Sequence, residues 1–499
     1  LFDEAERFSR RTISVCLSGG GEDGDEDGLP SVIEDTTLGP DESDEDVGGG
    51  SHDAIVPVPT MEAGKNEDRD GEHTISNFET IIHVLKGNIG IGVLTLPMAI
   101  KNSGLLGGVI GLTAIACICV YCMTLLVRAA HKALAKDSRR NVKFLDYADT
   151  AHASFADAGS KWATFAPHIR KLLNCFLCAS QITSNAVYAL FIAKNIKPLI
   201  GHYSGPTMAN LDTRIYLAMI MPFQLALCMV RNLRYLSPFS ILANIIQSVG
   251  LGIIFYYIFG TGHLMPSDSL PWFANADRLP LFFGTAIFAI EGISVVLPIE
   301  NQMRYPKDML GYNGVLNTSM TLVVALYVAM GFYGYLRYGE TVDATITLNL
   351  PPEDIAGQIT LALFSLAIFF SYALQFYVVM EILGPNLLKR YVPDRWYNFA
   401  DYSLRFVLNV FTFALAATVP WLDLFVSLLG AVKMSTLSIM APALIDTASN
   451  WDNLGVLKWK AVKNGLIFAF GLFGCIIGTY VSLQSIIWCF MHPEKCPTT

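Results

Sequence analysis

NFETIIHVLKGNIGIGVLTLPMA, residues 77–99, is apolar enough to cross a bilayer, yet its middle departs from what a plain membrane helix requires. A spanning helix takes about 20 mostly apolar residues, and residues 81–100 supply them. Gly87, Gly90, Gly92 and Pro97 interrupt that run, and His83 and Lys86 put polar groups on it. Polar groups at membrane depth are costly unless they serve a site. Irregular backbone is tolerated there only where it is buried in protein or lines a cavity. The GNIGIG stretch, Gly87, Asn88, Ile89, Gly90, Ile91 and Gly92, therefore reads as a break in a spanning helix, whose freed N–H groups could hold an anion. The competing reading is a glycine seam for a neighbouring helix, but such seams favour four-residue spacing, and these glycines are three and two apart.

Working outward, 53% of the 499 residues are hydrophobic and only 15% are charged. That composition belongs to an all-α polytopic membrane protein. The net charge of -9 comes largely from the first seventy or so residues, where Glu22, Asp23, Asp25, Glu26, Asp27, Asp41, Glu42, Asp44, Glu45 and Asp46 alternate with glycine and serine. Residues 1–76 thus read as a disordered acidic cytosolic tail, a candidate to bind a cytosolic partner. Residues 77–485 form the transmembrane domain, and 486–499 a short lumenal or extracellular tail. No basic stripe interleaved with aromatics suggests nucleic acid. HExxH and GxxxxGK[ST] are missing too, and the CxxC spacings of Cys119/Cys122 and Cys175/Cys178 fall in apolar spans with no second pair in a soluble loop, so neither enzyme chemistry, metal nor cofactor is expected. Most of the ten cysteines fall in apolar runs and read as packed thiols. Cys489 and Cys496, expected past the last span, are the pair suited to an oxidising compartment. With no cleavable leader visible, the first span doubles as the targeting signal.

Apolar runs predict about eleven spans. After the first they cover residues 105–127, 172–192, 215–230, 238–259, 279–297, 315–335, 356–383, 404–419, 424–445 and 462–483. In the second, the Gly104/Gly108 and Gly107/Gly111 pairs have the spacing of a tight helix crossing. Lysine and arginine mark the inner loops: Lys132, Lys136, Arg139, Arg140, Lys143 and Lys161, then Arg231, Arg234, Arg304, Lys307, Lys389, Arg390, Arg395, Lys458, Lys460 and Lys463. This asymmetry puts the N-terminus in the cytosol and the C-terminus in the lumen or outside. The sixth span repeats the oddity of the first. In FGTAIFAIEGISVVLP, Gly284, Glu291, Gly292 and Pro298 interrupt the run, with Glu291 near its middle. Two interrupted spans, one opening each half of a ten-span core, predict a five-plus-five inverted repeat with its site at the midplane. The eleventh span is an addition.

The runs HVLKGNIGIGVLTLPMAIKNSG (83–104), RNLRYLSPFSILANI (231–245), FGTAIFAIEGISVVLPIENQM (283–303) and SYALQFYVVMEI (371–382) resemble the proton-coupled amino acid transporters of the amino acid/auxin permease family. The resemblance extends over residues 77–485. It implies the fold of the amino acid, polyamine and organocation superfamily, and symport of small neutral amino acids such as alanine, glycine and proline with a proton. Two features depart from the family's pattern. Lys433 and Met434 stand where small or hydroxyl residues are usual, so either Lys433 faces a cytosolic vestibule or substrate choice is altered. The loops after the third and seventh spans also lack the cysteines of a lumenal disulfide that vertebrate members use.

In this reading the N–H groups around 88–92 take the substrate carboxylate, and carbonyls around 287–291 take its ammonium. Ile287, Phe288, Ile290, Tyr188 and Tyr377 close a pocket for small side chains. His83 is the first candidate for the proton, since an imidazole of pKa about 6.5 changes charge near neutrality. Lys86 and Glu79, on neighbouring turns, act on it with opposite sign, and Glu291 is the alternative carrier. Two other functions fit the same residues: sodium coupling through Ser365 or Ser371, or a membrane amino acid sensor signalling through the acidic tail. The membrane is either the plasma membrane or an endolysosomal one.

Overall fold

The structure, a computed structural model, describes residues 74–136, 144–231, 233–260, 263–351, 353–492 and 496. The acidic stretch through residue 73 and the basic Arg139, Arg140 and Lys143 lie outside the described residues, as does Lys495. Among the described residues there are helices and no strands, apart from one isolated bridge between Ile75 and Met303.

The first span is broken, as its glycines predict. Helix α1, Asn77–Asn88, starts at a capping box in which Ser76 and Glu79 satisfy each other's backbone N–H. The chain leaves it at Ile89 in an extended conformation and re-enters a helix at α2, Ile91–Ser103, inclined 58° to the first. A turn at Gly104, where φ is +84° and the backbone of Phe273 lies 2.7 Å from any added Cβ, opens α3, Leu105–Lys136. Only glycine meets both conditions. Gly104 therefore caps α2 instead of packing within α3, while the anticipated close packing holds at Gly107 against Phe273, Gly108 against Ile100 and Ser103, and Gly111 against the Phe282 ring.

After α4, Tyr147–Ala156, come α5, Ala166–Ser204, α6, Thr213–Cys228, and α7, Leu233–Phe259. The sixth span is broken too, into α8, Leu279–Ala289, and α9, Ile293–Glu300. Then follow α10, Val315–Tyr338, α11, Ile355–Leu383, and α12, Asp394–Thr418. The tenth span is α13, Leu422–Leu429, a π-helical stretch Gly430–Met440, and α14, Ala441–Ser449; the last is α15, Trp459–Met491. Nine of these helical segments are long and apolar enough to cross a membrane, ten with the bent α1–α2 pair. The predicted fourth span is the 16-residue α6, shorter than the rest. Several helices outrun the apolar cores that announce them. At 39 residues α5 is about 58 Å long, against a hydrocarbon core of about 30 Å. Likewise α15 runs on to Met491, so Cys489 belongs to its final turns and not to a tail beyond it. It is joined there to Cys496.

Two depths of packing organise the bundle. The tenth span is the most enclosed, 78% of its apolar window being buried, whereas the corresponding figure for α15 is 22%. The last helix therefore lies on the outside, where Phe473 and Tyr480 present bare rings, as lipid-facing residues do. At the centre, small residues bring backbones together. A Cβ on Gly430 would stand 1.8 Å from the carbonyl oxygen of Gly284, and one on Gly92 would stand 2.6 Å from the Cα of Ala289. These contacts gather α2, α8 and the π stretch around one point.

Candidate functional site

The two breaks face each other. Above them α2 packs on α8 through Gly92 and Ala289; below them α1 packs on α9, where Gly87 meets Val295 and Gly292 leaves room for the Asn88 amide. Tyr327, fully buried on α10, reaches into the gap, and its hydroxyl lies within hydrogen-bonding reach of both the Asn88 and the Ala289 carbonyl, the latter at 2.8 Å. One side chain thus ties both broken helices together. The Asn88 amide nitrogen donates to the Val84 carbonyl at 2.8 Å, while its oxygen, buried, has no protein partner.

At the start of α2 no side chain caps the helix, and a Cβ built on Gly90 would meet nothing within 4 Å. First-turn N–H groups carry the positive end of the helix dipole, and here no side chain takes it. The carbonyls of the second break are less available than expected. Ile287 O accepts the Ile290 N–H at 3.2 Å, Gly292 O accepts that of Val295, and Ala289 O is held by Tyr327. The chain turns tightly there, so fewer acceptors remain for an ammonium than a fully unwound segment would leave.

The principal revision concerns Lys433. It does not face a vestibule: it is buried in the π stretch, and its Nζ lies 2.9 Å from Glu291 Oε1. It also donates to Ser184 Oγ on α5 and lies 5.0 Å from the centre of the Phe288 ring. Ser184 donates in turn to the same Glu291 oxygen at 3.1 Å. One helical turn along α5, the Tyr188 hydroxyl accepts a hydrogen bond from Gln375 Nε2 of α11 at 2.8 Å. The wider i→i+5 winding, which recurs at functional sites, carries Lys433 into this cluster.

Residues 73–484 match the family described as "Transmembrane amino acid transporter protein". The chain belongs to that family. The transporter is similar, at 33% identity over 432 residues, to the "Proton-coupled amino acid transporter-like protein pathetic" of Drosophila melanogaster, covering 86% of this chain and 88% of that protein. It is also similar to the "Probable amino acid transporter skat-1" of Caenorhabditis elegans, at 26% identity over 447 residues, 85% of this chain and 93% of that one. Among solved structures, inward-facing Mhp1 aligns with a TM-score of 0.44 at 12% identity, over 84% of this chain and 92% of that one. MhsT in complex with L-phenylalanine aligns with a TM-score of 0.43 at 10% identity, over 83% and 100%. The transporter is not an enzyme.

Within the transporter, Gly87 to Gly92, Ile287, Phe288, Ile290 and Glu291 lie at the paired breaks, and Tyr188 lies beside the charged cluster. Tyr377 follows Gln375 by two residues and so stands about 200° round α11 from it. His83 is half-buried on α1 and Lys86 exposed. Ser365 and Ser371, the hydroxyls considered for sodium, donate back to the Leu361 and Ala367 carbonyls of their own helix at 2.7 and 2.9 Å. Sequence reasoning missed Tyr327, Ser184 and Gln375. Gln375 had a signal, an amide in an apolar run; Ser184 had only its four-residue spacing from Tyr188. Further along α9, the buried Glu300 meets His131 of α3 at 3.0 Å.

Proposed function

We propose that the protein is a secondary active transporter, moving small neutral amino acids of the alanine, glycine and proline type by proton symport through alternating access. The observation that carries this reading is the pairing of the two breaks: α2 starts without a side-chain cap and with room at Gly90, and Glu291 in the facing break is ion-paired with the buried Lys433. An amino acid offers a carboxylate and an ammonium, and this arrangement supplies partners for both. The Drosophila relative, described as proton-coupled amino acid transporter-like, supports the choice of coupling ion. In this reading the ten spans up to α14 form the five-plus-five repeat, α15 is appended, and the C-terminal end faces an oxidising compartment, a side that the Cys489–Cys496 bond supports.

The energetics suffice. One proton moving with a neutral zwitterion gains about 2.3 kcal/mol per 100 mV and about 1.4 per pH unit, enough for a gradient of roughly a few hundredfold. His83 is the first proton carrier in this scheme, on the half-helix leading into the first break. The test is uptake of labelled alanine, glycine and proline at external pH of about 5.5 and 7.5, with and without sodium, for the wild type and His83→Ala. Uptake that rises at acid pH without sodium and collapses in the variant is the expected result. Uptake that requires sodium and ignores the pH gradient overturns proton coupling. Substrate binding without flux under any gradient makes the protein a sensor instead.

A further inference from the structure

A charge in the middle of a membrane bundle must have a reason to be there. Lys433 is almost sealed, its side chain 4% exposed, whereas its partner Glu291 is 24% exposed and stands at the edge of the break. A buried ion pair contributes little net stability compared with apolar side chains of similar size, and at membrane depth it is costly. Bundle stability therefore gives no account of it. The composition of the cluster is more informative: one ammonium and one carboxylate, close together, at the second break, with the ammonium resting over the Phe288 ring and Ser184 holding the shared carboxylate oxygen.

That is the charge pattern of a free amino acid, reversed. We propose that Lys433 and Glu291 together are the selectivity device of the site: the pair closes on itself when the site is empty and opens to receive the two charges of a zwitterion. Glu291 takes the substrate ammonium and Lys433 its carboxylate, so one ion pair is exchanged for two and no charge is left uncompensated. An amine without a carboxylate would displace Lys433 from Glu291 and strand it; a carboxylate without an amine would strand Glu291. Either outcome leaves a buried charge without a partner, which is strongly unfavourable. The side chains suit the exchange. Glu291 is borne by the break itself and Ser184 retains its carboxylate, while Lys433 has a flexible four-carbon stem and an aromatic face to rest on during the change. The half-helix ends alone would not impose this double requirement, because a carboxylate by itself satisfies an N-terminus.

The inference rests on the transporter reading, and the experiment separates the two. Competition against labelled alanine uptake by alanine, propionate and ethylamine is measured for the wild type, Glu291→Gln, Lys433→Gln and the double variant. Binding is read in parallel from the ligand-induced shift in Tm of the purified proteins, so a variant that binds without transporting is still informative. In the wild type only alanine competes. Glu291→Gln gains at least a tenfold relative preference for propionate, Lys433→Gln gains the same for ethylamine, and the double variant loses the demand for both charges. Single variants that fold and keep the wild-type ranking overturn the proposal. So does a pattern in which only the double variant folds and still accepts alanine alone, since the pair is then a structural bolt. A wild type that responds to no small neutral amino acid by either readout removes the transporter reading, and the inference with it.

Discussion

Gly90 and Gly92 are two residues apart and answer to opposite demands. At Gly92 an added methyl would strike the Ala289 backbone at 2.6 Å, so Gly92→Ala forces α2 and α8 apart. Overpacking of this kind costs about 1–3 kcal/mol, and the variant is expected to show a lower Tm in detergent and reduced expression. Gly90 has φ of -146°, which any residue adopts, and nothing within 4 Å of an added Cβ. Gly90→Ala is therefore expected to fold as the wild type does while raising the KM for alanine several-fold, because the methyl takes space next to the uncapped N–H groups. A Tm that falls at Gly90 and holds at Gly92 would reverse the assignment. At this scale a polar or charged residue interrupting an apolar run drew attention to Asn88, Glu291 and Lys433, but not to the contact between the last two. The sequence was silent about Tyr327 and Ser184. A hydroxyl in a spanning helix commonly bonds its own backbone one turn back, as Thr113, Ser248 and Ser365 do, so nothing in the residue type distinguishes the few that reach another helix.

Among the elements, the breaks in the first and sixth spans were legible from Gly90 and Gly292, whereas Pro97 and Pro298 proved to lie within α2 and α9, and the clasp between the breaks was not legible. Tyr327 of α10 holds the Asn88 and Ala289 carbonyls, one from each broken helix. Tyr327→Phe keeps the ring and leaves those carbonyls short of a donor, a loss of about 1–3 kcal/mol. Its expected signature is a lower Tm together with a fall in maximal uptake, since the two breaks then hold their relative position less well; an unchanged Tm and uptake would show that the hydroxyl is dispensable. The π-helical stretch from Gly430 was also invisible beforehand. Over three turns its apolar pattern serves an α-helix equally well, and only the position of Lys433, buried against Glu291 instead of facing a vestibule, reports the wider winding. Helix ends were misjudged for a related reason. Hydropathy registers the apolar core of a span, while the polar turns at either end of α5 continue the helix without continuing the signal; in α15 the pair Gln484 and Ser485 broke the run, and the apolar turns to Met491 beyond them were missed.

For the whole molecule, apolar runs announced a many-helix membrane protein, and the orientation proposed from the lysine and arginine bias can be checked against one covalent bond. Cys489 and Cys496 are joined at the end of the last helix, a bond that persists in oxidising compartments. An epitope appended after residue 499 is therefore expected to be shielded from protease added to the cytosolic side of sealed vesicles and cleaved once they are opened; cleavage while sealed would invert the proposed orientation. The other end of the domain has its own attachment. Ile75 exchanges backbone hydrogen bonds of 3.0 and 3.1 Å with Gln302 and Arg304, just past α9, and Asn77 donates to Asp308 at 2.7 Å. The segment entering α1 and the segment leaving α9 are in this way yoked, so under the proposed alternating access the two half-helices on that side are expected to move as one leaf. The acidic sequence joins the chain immediately before that yoke, so a pull on it would be delivered to both half-helices at once.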